Sequence, residues 1–234
     1  MILCLETSTA LCSVALCNKD GFIAVRESEE NKSHATRLTV FIQDILNSAG
    51  LSVRDLEAVA VSKGPGSYTG LRIGVSVAKG LAYGAGIPLI GVETTLSMFC
   101  GISDAMKEKY RLDTTSLFVP VIDARRMEVY YTIMNSEGRS IKKTSAVIID
   151  VNSFLDIPDS IRILFFGDGT DKCKSVIKRD NICFADEFRI SASFMYGPVY
   201  KAFNEKRYEN TAYFEPFYLK DFITTKSKKN ILGR

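Results

Sequence analysis

The chain of 234 residues holds one histidine, His34. A zinc site built on paired histidines is therefore excluded, as is any mechanism that needs two imidazoles. None of the six cysteines, at 4, 12, 17, 100, 173 and 183, has a partner at C-x-x-C spacing. Several sit inside apolar runs such as ILCLE and LCSVALC, which predicts reduced core thiols rather than a disulfide framework or a metal site. A membrane-spanning run is also missing. The longest weakly charged stretch, residues 74–92, is broken by Lys79, Pro88 and several glycines, and reads as helix, turn and strand. The opening MILCLETST lacks a basic lead and meets Glu6 at once, so no targeting signal is visible and a cytoplasmic protein is expected.

The body of the chain lacks a basic excess. Net charge is +3, yet five cations (Lys220, Lys226, Lys228, Lys229 and Arg234) stand against Asp221 alone after residue 219. The remainder is about neutral, a poor basis for binding nucleic acid alone by phosphate neutralisation. The basic tail, 223–234, is expected to be solvated, although it could touch RNA.

What is present is ordinary globular composition, 46% hydrophobic and 24% charged. Residues 2–6, 11–18 and 21–28 read as three strands joined by hairpin-sized turns. Ser33 is a candidate N-cap for a helix over 34–49, with Leu38, Phe41, Ile42, Ile45 and Leu46 at helical spacing and Gly50 as its stop. A strand over 56–62, a helix over 70–83, a strand over 87–92 and a helix from Thr94 or Thr95 to Tyr110 follow. An antiparallel meander continued by parallel crossovers predicts an α/β fold with a mixed sheet and helices on its faces. The second half shows strands over 116–123, 127–134, 141–150 and 161–166, a helix over 171–178, and a helix over 190–203 interrupted or kinked near Gly197-Pro198. Loss of apolar period around 105–115 predicts two lobes, 1–110 and 111–222.

The densest motif is SKGPGSYTGLRIG, residues 62–74. A P-loop would need lysine and a hydroxyl after the last glycine, and Gly70 is followed by Leu71 and Arg72. A dinucleotide loop fits the strand-glycines-helix order, but Pro65 removes a backbone donor and three strands already precede this one. A tight strand-to-helix turn accounts for Gly64, Pro65 and Gly66, with Ser67, Tyr68 and Thr69 as capping residues. Arg72, a cation in the first helical turn where the macrodipole disfavours it, points to an acidic partner inside or outside the chain. Along the same helix Gly70, Gly74, Ala78, Ala82 and Ala85 recur at spacings of three and four, a small-residue face that fits either a partner helix or the protein's own sheet.

KGPGSYTGLRIG resembles the signature of the TsaB (YeaZ) family, bacterial proteins of threonylcarbamoyladenosine synthesis on tRNA. LCLETSTALCSVAL, SHATRL, VIDARRMEVYY, FFGDGT and EPFYLKDF resemble further signposts of that family, so the likeness runs from residue 1 to about 222. It implies a two-lobed actin-like ATPase fold of ribonuclease H-like (ASKHA) lobes, with TsaD binding and dimerisation on lobe 1–110. It implies a non-catalytic subunit that binds and activates TsaD, is joined by the ATPase-like TsaE, and meets tRNA through the complex; isolated, it would form a homodimer.

ATP and metal are expected on the partner subunits. Glu6-Thr7-Ser8-Thr9 lacks the glycine of the superfamily's first phosphate turn, and His34 followed by Leu38 lacks one ligand of TsaD's H-x-x-x-H motif. The resemblance thus places His34, Leu38, Gly70, Arg72, Gly74, Ala78 and Ala82 at a partner interface. It leaves Gly64, Pro65, Gly66, Ser67 and Thr69 as a structural loop, with no catalytic or metal residues. Asp123, Arg125 and Glu128 are read as solvated turn charges. An actin-like kinase and a glycoprotease-like hydrolase are the alternatives.

Overall fold

A computed structural model of the chain describes residues 1–28 and 34–220. The tail and the expected cap Ser33 lie outside the described residues, as does the side chain of His34.

ILCLE is apolar at almost every position, and a strand buried on both faces needs such a run. It forms β1 (Ile2–Glu6), with every residue buried, at the centre of a five-stranded sheet. β2 (Cys12–Asn18) and β3 (Gly21–Ser28) extend the sheet antiparallel on one side. β4 (Ala58–Gly64) and β5 (Leu89–Glu93) extend it parallel on the other, giving the order β3-β2-β1-β4-β5.

Parallel neighbours need crossovers, and two helices supply them. α1 (His34–Ser48) joins β3 to β4 through a 3-10 turn at Val53–Asp55, and α2 (Tyr68–Ala85) joins β4 to β5. Side chains alternate across each strand, so Leu3, Leu5, Val14, Leu16, Val59 and Val61 meet Leu38, Ile42 and Ile45 of α1 and Val75, Ala78 and Ala82 of α2. The opposite face, Ile2, Cys4, Ala15, Cys17, Ala58 and Ala60, is covered from far along the chain by Ala192, Met195, Val199 and Ala202.

The second sheet repeats this order. β6 (Leu117–Asp123) is central, β7 (Glu128–Met134) and β8 (Ser140–Ile148) add antiparallel, and β9 (Ile163–Phe166) and β10 (Ile182–Ala185) add parallel. A short α5 (Thr170–Val176) links β9 to β10, while turns stand where α1 stands in the first half. Both halves thus have the ribonuclease H-like strand order, and the pair makes the two-lobed actin-like ATPase architecture. Leu11 and Met98 pack with Phe118, Ile122, Leu164 and Phe166 to join the halves.

Several elements differ from the sequence expectation. The helix expected from Thr94 to Tyr110 is two helices, α3 (Thr94–Cys100) and α4 (Asp104–Lys109). Gly101 packs against the Phe194 ring, and Ser103 restarts the helix by accepting from Met106 N at 3.2 Å. β10 was not anticipated, because ICFA is four residues long and carries no alternation. The helix expected over 190–203 is interrupted, but ahead of Pro198: a 3-10 turn, Ala192–Met195, leads into α6 (Tyr196–Asn204), and Pro198 lies in its first turn, where its missing N–H costs nothing.

Beyond α6 the chain runs back across the first half without helix or strand. Glu209 N donates to Leu89 O at 2.8 Å, and Phe217 N donates to Lys63 O at 2.6 Å. Lys79 Nζ holds the same segment through the carbonyls of Ala212 and Phe214, at 3.1 and 3.0 Å. Among the described residues no helix is long and apolar enough to cross a membrane.

Candidate functional site

The glycine turn seals the β1–β2 connection. Ser67 caps α2, accepting from Gly70 N at 3.2 Å, and Ser67 N donates to Ser8 O at 2.6 Å. A Cβ on Gly66 would lie under 3.0 Å from Ser8 O, one on Gly70 under 3.0 Å from Thr7 O, and one on Gly74 under 3.0 Å from Thr7 Oγ1. These glycines exist so that α2 can lie directly on residues 7 and 8. Thr7 Oγ1 then donates to Gly70 O at 2.8 Å and fastens the contact. Gly64 likewise gives the Phe217 carbonyl its close approach.

A phosphate turn needs free backbone amides, and here those of Thr7, Ser8 and Leu11 are engaged by side chains. Ser8 N donates to Glu6 Oε1 at 2.6 Å, Thr7 N to Ser62 Oγ at 3.5 Å, and Leu11 N to Thr9 Oγ1 at 3.3 Å. Glu6 is fully buried, and burial pushes its carboxyl above the usual range, against the bonds from Ser8, Ser62 and Thr7 that favour the charged form. A buried carboxyl under spent amides is the opposite of an anion cradle.

The other charged motifs are structural. Lys172 Nζ donates to Asp123 Oδ1 at 2.6 Å, and Lys220 pairs with Glu128. Asp168 Oδ1 accepts from Asp123 N at 2.9 Å, and burial raises the Asp168 carboxyl above its ordinary value. Gly167 of the Gly-Asp-Gly-Thr turn packs on Val121 O, so this turn docks β9 against β6.

The expected interface residues on α2 face inward. Gly70, Gly74, Ala78 and Ala82 are buried against residue 7 and the first sheet, and Leu38 of α1 is buried beside them. As a surface for a partner helix these five are corrected to core, because α2 needs small residues to reach its own sheet. Arg72 is exposed, and its guanidinium donates to Tyr68 Oη at 2.7 Å. That bond, then the Tyr68, Tyr218 and Glu215 side chains, holds Arg72 above its ordinary pKa.

The outward side of α2 carries a second row that the sequence reading missed: Ser76 and Gly80 are exposed, as is Gly84. A Cβ on Gly80 or Gly84 would meet nothing within 4 Å. Beside this row Ile42, Leu46, Leu51, Val53, Val77 and Leu81 line an apolar groove of about 430 Å³ between α1 and α2. The signal was available: glycines at i and i+4 in mid-helix with no fold requirement are a cost unless something approaches them.

Duplicated ribonuclease H-like halves, with amides of the first phosphate turn engaged by side chains, define a protein of the actin-like ATPase fold. Comparison with known proteins narrows this. Residues 25–194 match the family model described as TsaD: tRNA N6-adenosine threonylcarbamoyltransferase. The chain is 38% identical to the tRNA threonylcarbamoyladenosine biosynthesis protein TsaB of Escherichia coli over 63% of this chain and 62% of that protein. It thus spans less than two thirds of that relative's length. With the Bacillus subtilis protein TsaB it shares 31% identity over 76% of this chain and 75% of the relative. A solved structure titled YeaZ from Pseudomonas aeruginosa superposes with a TM-score of 0.74 at 24% identity, over 93% of this chain and 99% of that one. The chain belongs to the TsaB family, within the wider group that the TsaD family model describes.

Proposed function

We propose that the chain serves tRNA threonylcarbamoyladenosine biosynthesis as a subunit without catalytic residues of its own, binding and activating a TsaD partner in the cytoplasm. The transfer of the threonylcarbamoyl group to the adenosine beside the anticodon is then TsaD's chemistry, TsaE joins the pair, and tRNA is met through the complex. The observation that carries the reading is the pairing of a closed phosphate turn with an open small-residue row along a surface groove. The first spends the amides of Thr7, Ser8 and Leu11 on side chains of the chain itself, which supports a subunit that leaves nucleotide chemistry to its partner. The second lets a helix of another chain approach α2 closely, with apolar area to bury between α1 and α2.

The interface we propose is therefore Ser76, Gly80 and Gly84 with the groove, in place of the inward row. His34 at the start of α1 stays within this proposal, while Arg72, which does not line the groove, leaves it. The same face, unpartnered, supports a homodimer of the isolated chain within lobe 1–110.

Reconstitution with cognate TsaD, TsaE, tRNA, ATP and the threonylcarbamoyl-adenylate donor tests the reading, with and without the chain and with a Gly80→Arg variant. Modification should require the chain, and Gly80→Arg should weaken TsaD binding at least tenfold while melting no lower than the wild type. Modification that proceeds equally well without the chain refutes the role, and unchanged TsaD affinity of Gly80→Arg refutes the surface.

A further inference from the structure

A cavity of about 380 Å³ opens where the glycine turn faces the β6–β7 hairpin, and the returning C-terminal segment closes one side of it. Its walls are unlike the apolar groove. Tyr68 and Tyr218 lie with ring centroids 5.0 Å apart, the Arg72 guanidinium sits 5.3 Å from the Tyr68 centroid, and Phe217 and Tyr218 remain partly open to solvent. Opposite them the hairpin tip presents Arg125 and Arg126, both exposed. The other charges at the rim cancel, since Lys220 pairs with Glu128 and Lys172 with Asp123. Among the described residues no ion pair is recorded for either hairpin arginine, which leaves two guanidiniums facing an aromatic wall.

We propose that this cavity holds one unpaired nucleotide of an RNA strand, its base against the Tyr218 face and its flanking phosphates on Arg125 and Arg126. Two observations select RNA. An aromatic face beside guanidiniums is the chemistry that holds single-stranded bases and their backbone. The volume is at the lower end of small-molecule sites, room for one nucleotide. The near-neutral body supplies little long-range attraction, so stacking and the two hairpin arginines carry the local contact. The inference rests on the tRNA-modification reading and adds to it a direct contact between this chain and the RNA.

The test is fluorescence anisotropy with a labelled anticodon stem-loop RNA, using the full chain and its complex with TsaD. Asn suits a left-handed backbone, and Arg125 and Arg126 have φ of 68° and 50°, so R125N/R126N removes the charge without disturbing the turn. That variant should weaken binding roughly tenfold and lower the slope of log K against log salt by about 1.4, about 0.7 for each of two phosphates. Tyr218→Ala should cost about fivefold to a hundredfold, one lost base stack. Cutting the chain after Lys220 should weaken binding without abolishing it.

The proposal is overturned if the pocket variants bind RNA as the wild type does, or if removing the tail alone abolishes binding. It is equally overturned if AMP binds as tightly as the RNA and displaces it, which would make the cavity a free-nucleotide site. TsaD affinity is measured alongside. Failure of the pocket variants to alter RNA binding, with TsaD binding intact, removes this inference only. Failure of the wild-type chain to bind TsaD removes the earlier reading.

Discussion

Two glycines ten residues apart in α2 should respond to alanine with opposite signs. At Gly80 a Cβ meets open space, so alanine removes only the helix penalty of glycine, a gain of about 0.5–1 kcal/mol. At Gly70 the same methyl lands under 3.0 Å from a backbone carbonyl oxygen, that of Thr7, which cannot rotate away. Overpacking of this kind costs about 1–3 kcal/mol. Moving α2 outward also stretches the 2.8 Å bond from Thr7 Oγ1 to Gly70 O, worth about 1 kcal/mol. After the helix gain is credited, Gly70→Ala should lose about 1–3 kcal/mol. For a chain of this size each kcal/mol moves Tm by roughly 2–4 °C. Thermal melts should therefore place Gly80→Ala about 1–4 °C above the wild type and Gly70→Ala about 2–12 °C below it. Equal shifts of the same sign would refute the assignment of inward and outward faces on α2, and with it the proposed interface.

Leu38→Ala should lose about 2–5 kcal/mol by urea unfolding, because the side chain is fully buried between α1 and the sheet; a change within 0.5 kcal/mol, roughly that of a surface position, would return it to the surface. Glu6→Gln keeps an acceptor for Ser8 N and Ser62 Oγ and removes the ionisable group. Because burial raises the carboxyl in the folded state, ionisation opposes folding, so the contribution of Glu6 to stability is fully present below its unfolded value and is lost as pH rises through the folded one. The variant should lack that decline, and parallel pH profiles of the two proteins would refute a raised Glu6. Gly80→Arg should halt concentration-dependent dimerisation in sedimentation while leaving Tm near the wild type, and an unchanged dimer would place self-association on another face.

Strand and helix order in the first half was legible because each signal was local. ILCLE had to be a buried strand, and the period of Leu38, Ile42 and Ile45 had to be an amphipathic helix. The glycine turn was legible as a turn, and Ser67 as its cap, from spacing alone. β10 and the break at Gly101 were not, since the first depends on a neighbour strand and the second on the Phe194 ring, far along the chain.

The site divides the same way. Absence of paired histidines, of a lysine after the glycine loop and of a glycine in ETSTA was legible in one dimension, because residue type and spacing are all it takes to see it. Which face of α2 was free was not, because Gly70 and Gly80 are the same residue in the same helix. Only the packing of residues 7 and 8 against one side, and empty space on the other, distinguishes them. Nor could spacing show that Arg72 would find Tyr68, or that Tyr218, 150 residues further on, would stand beside it. The sequence by itself determined most of the elements and the family, because those depend on residue type and short-range order. Tertiary structure decided which surfaces remain to be used, because exposure depends on every other segment that could cover them.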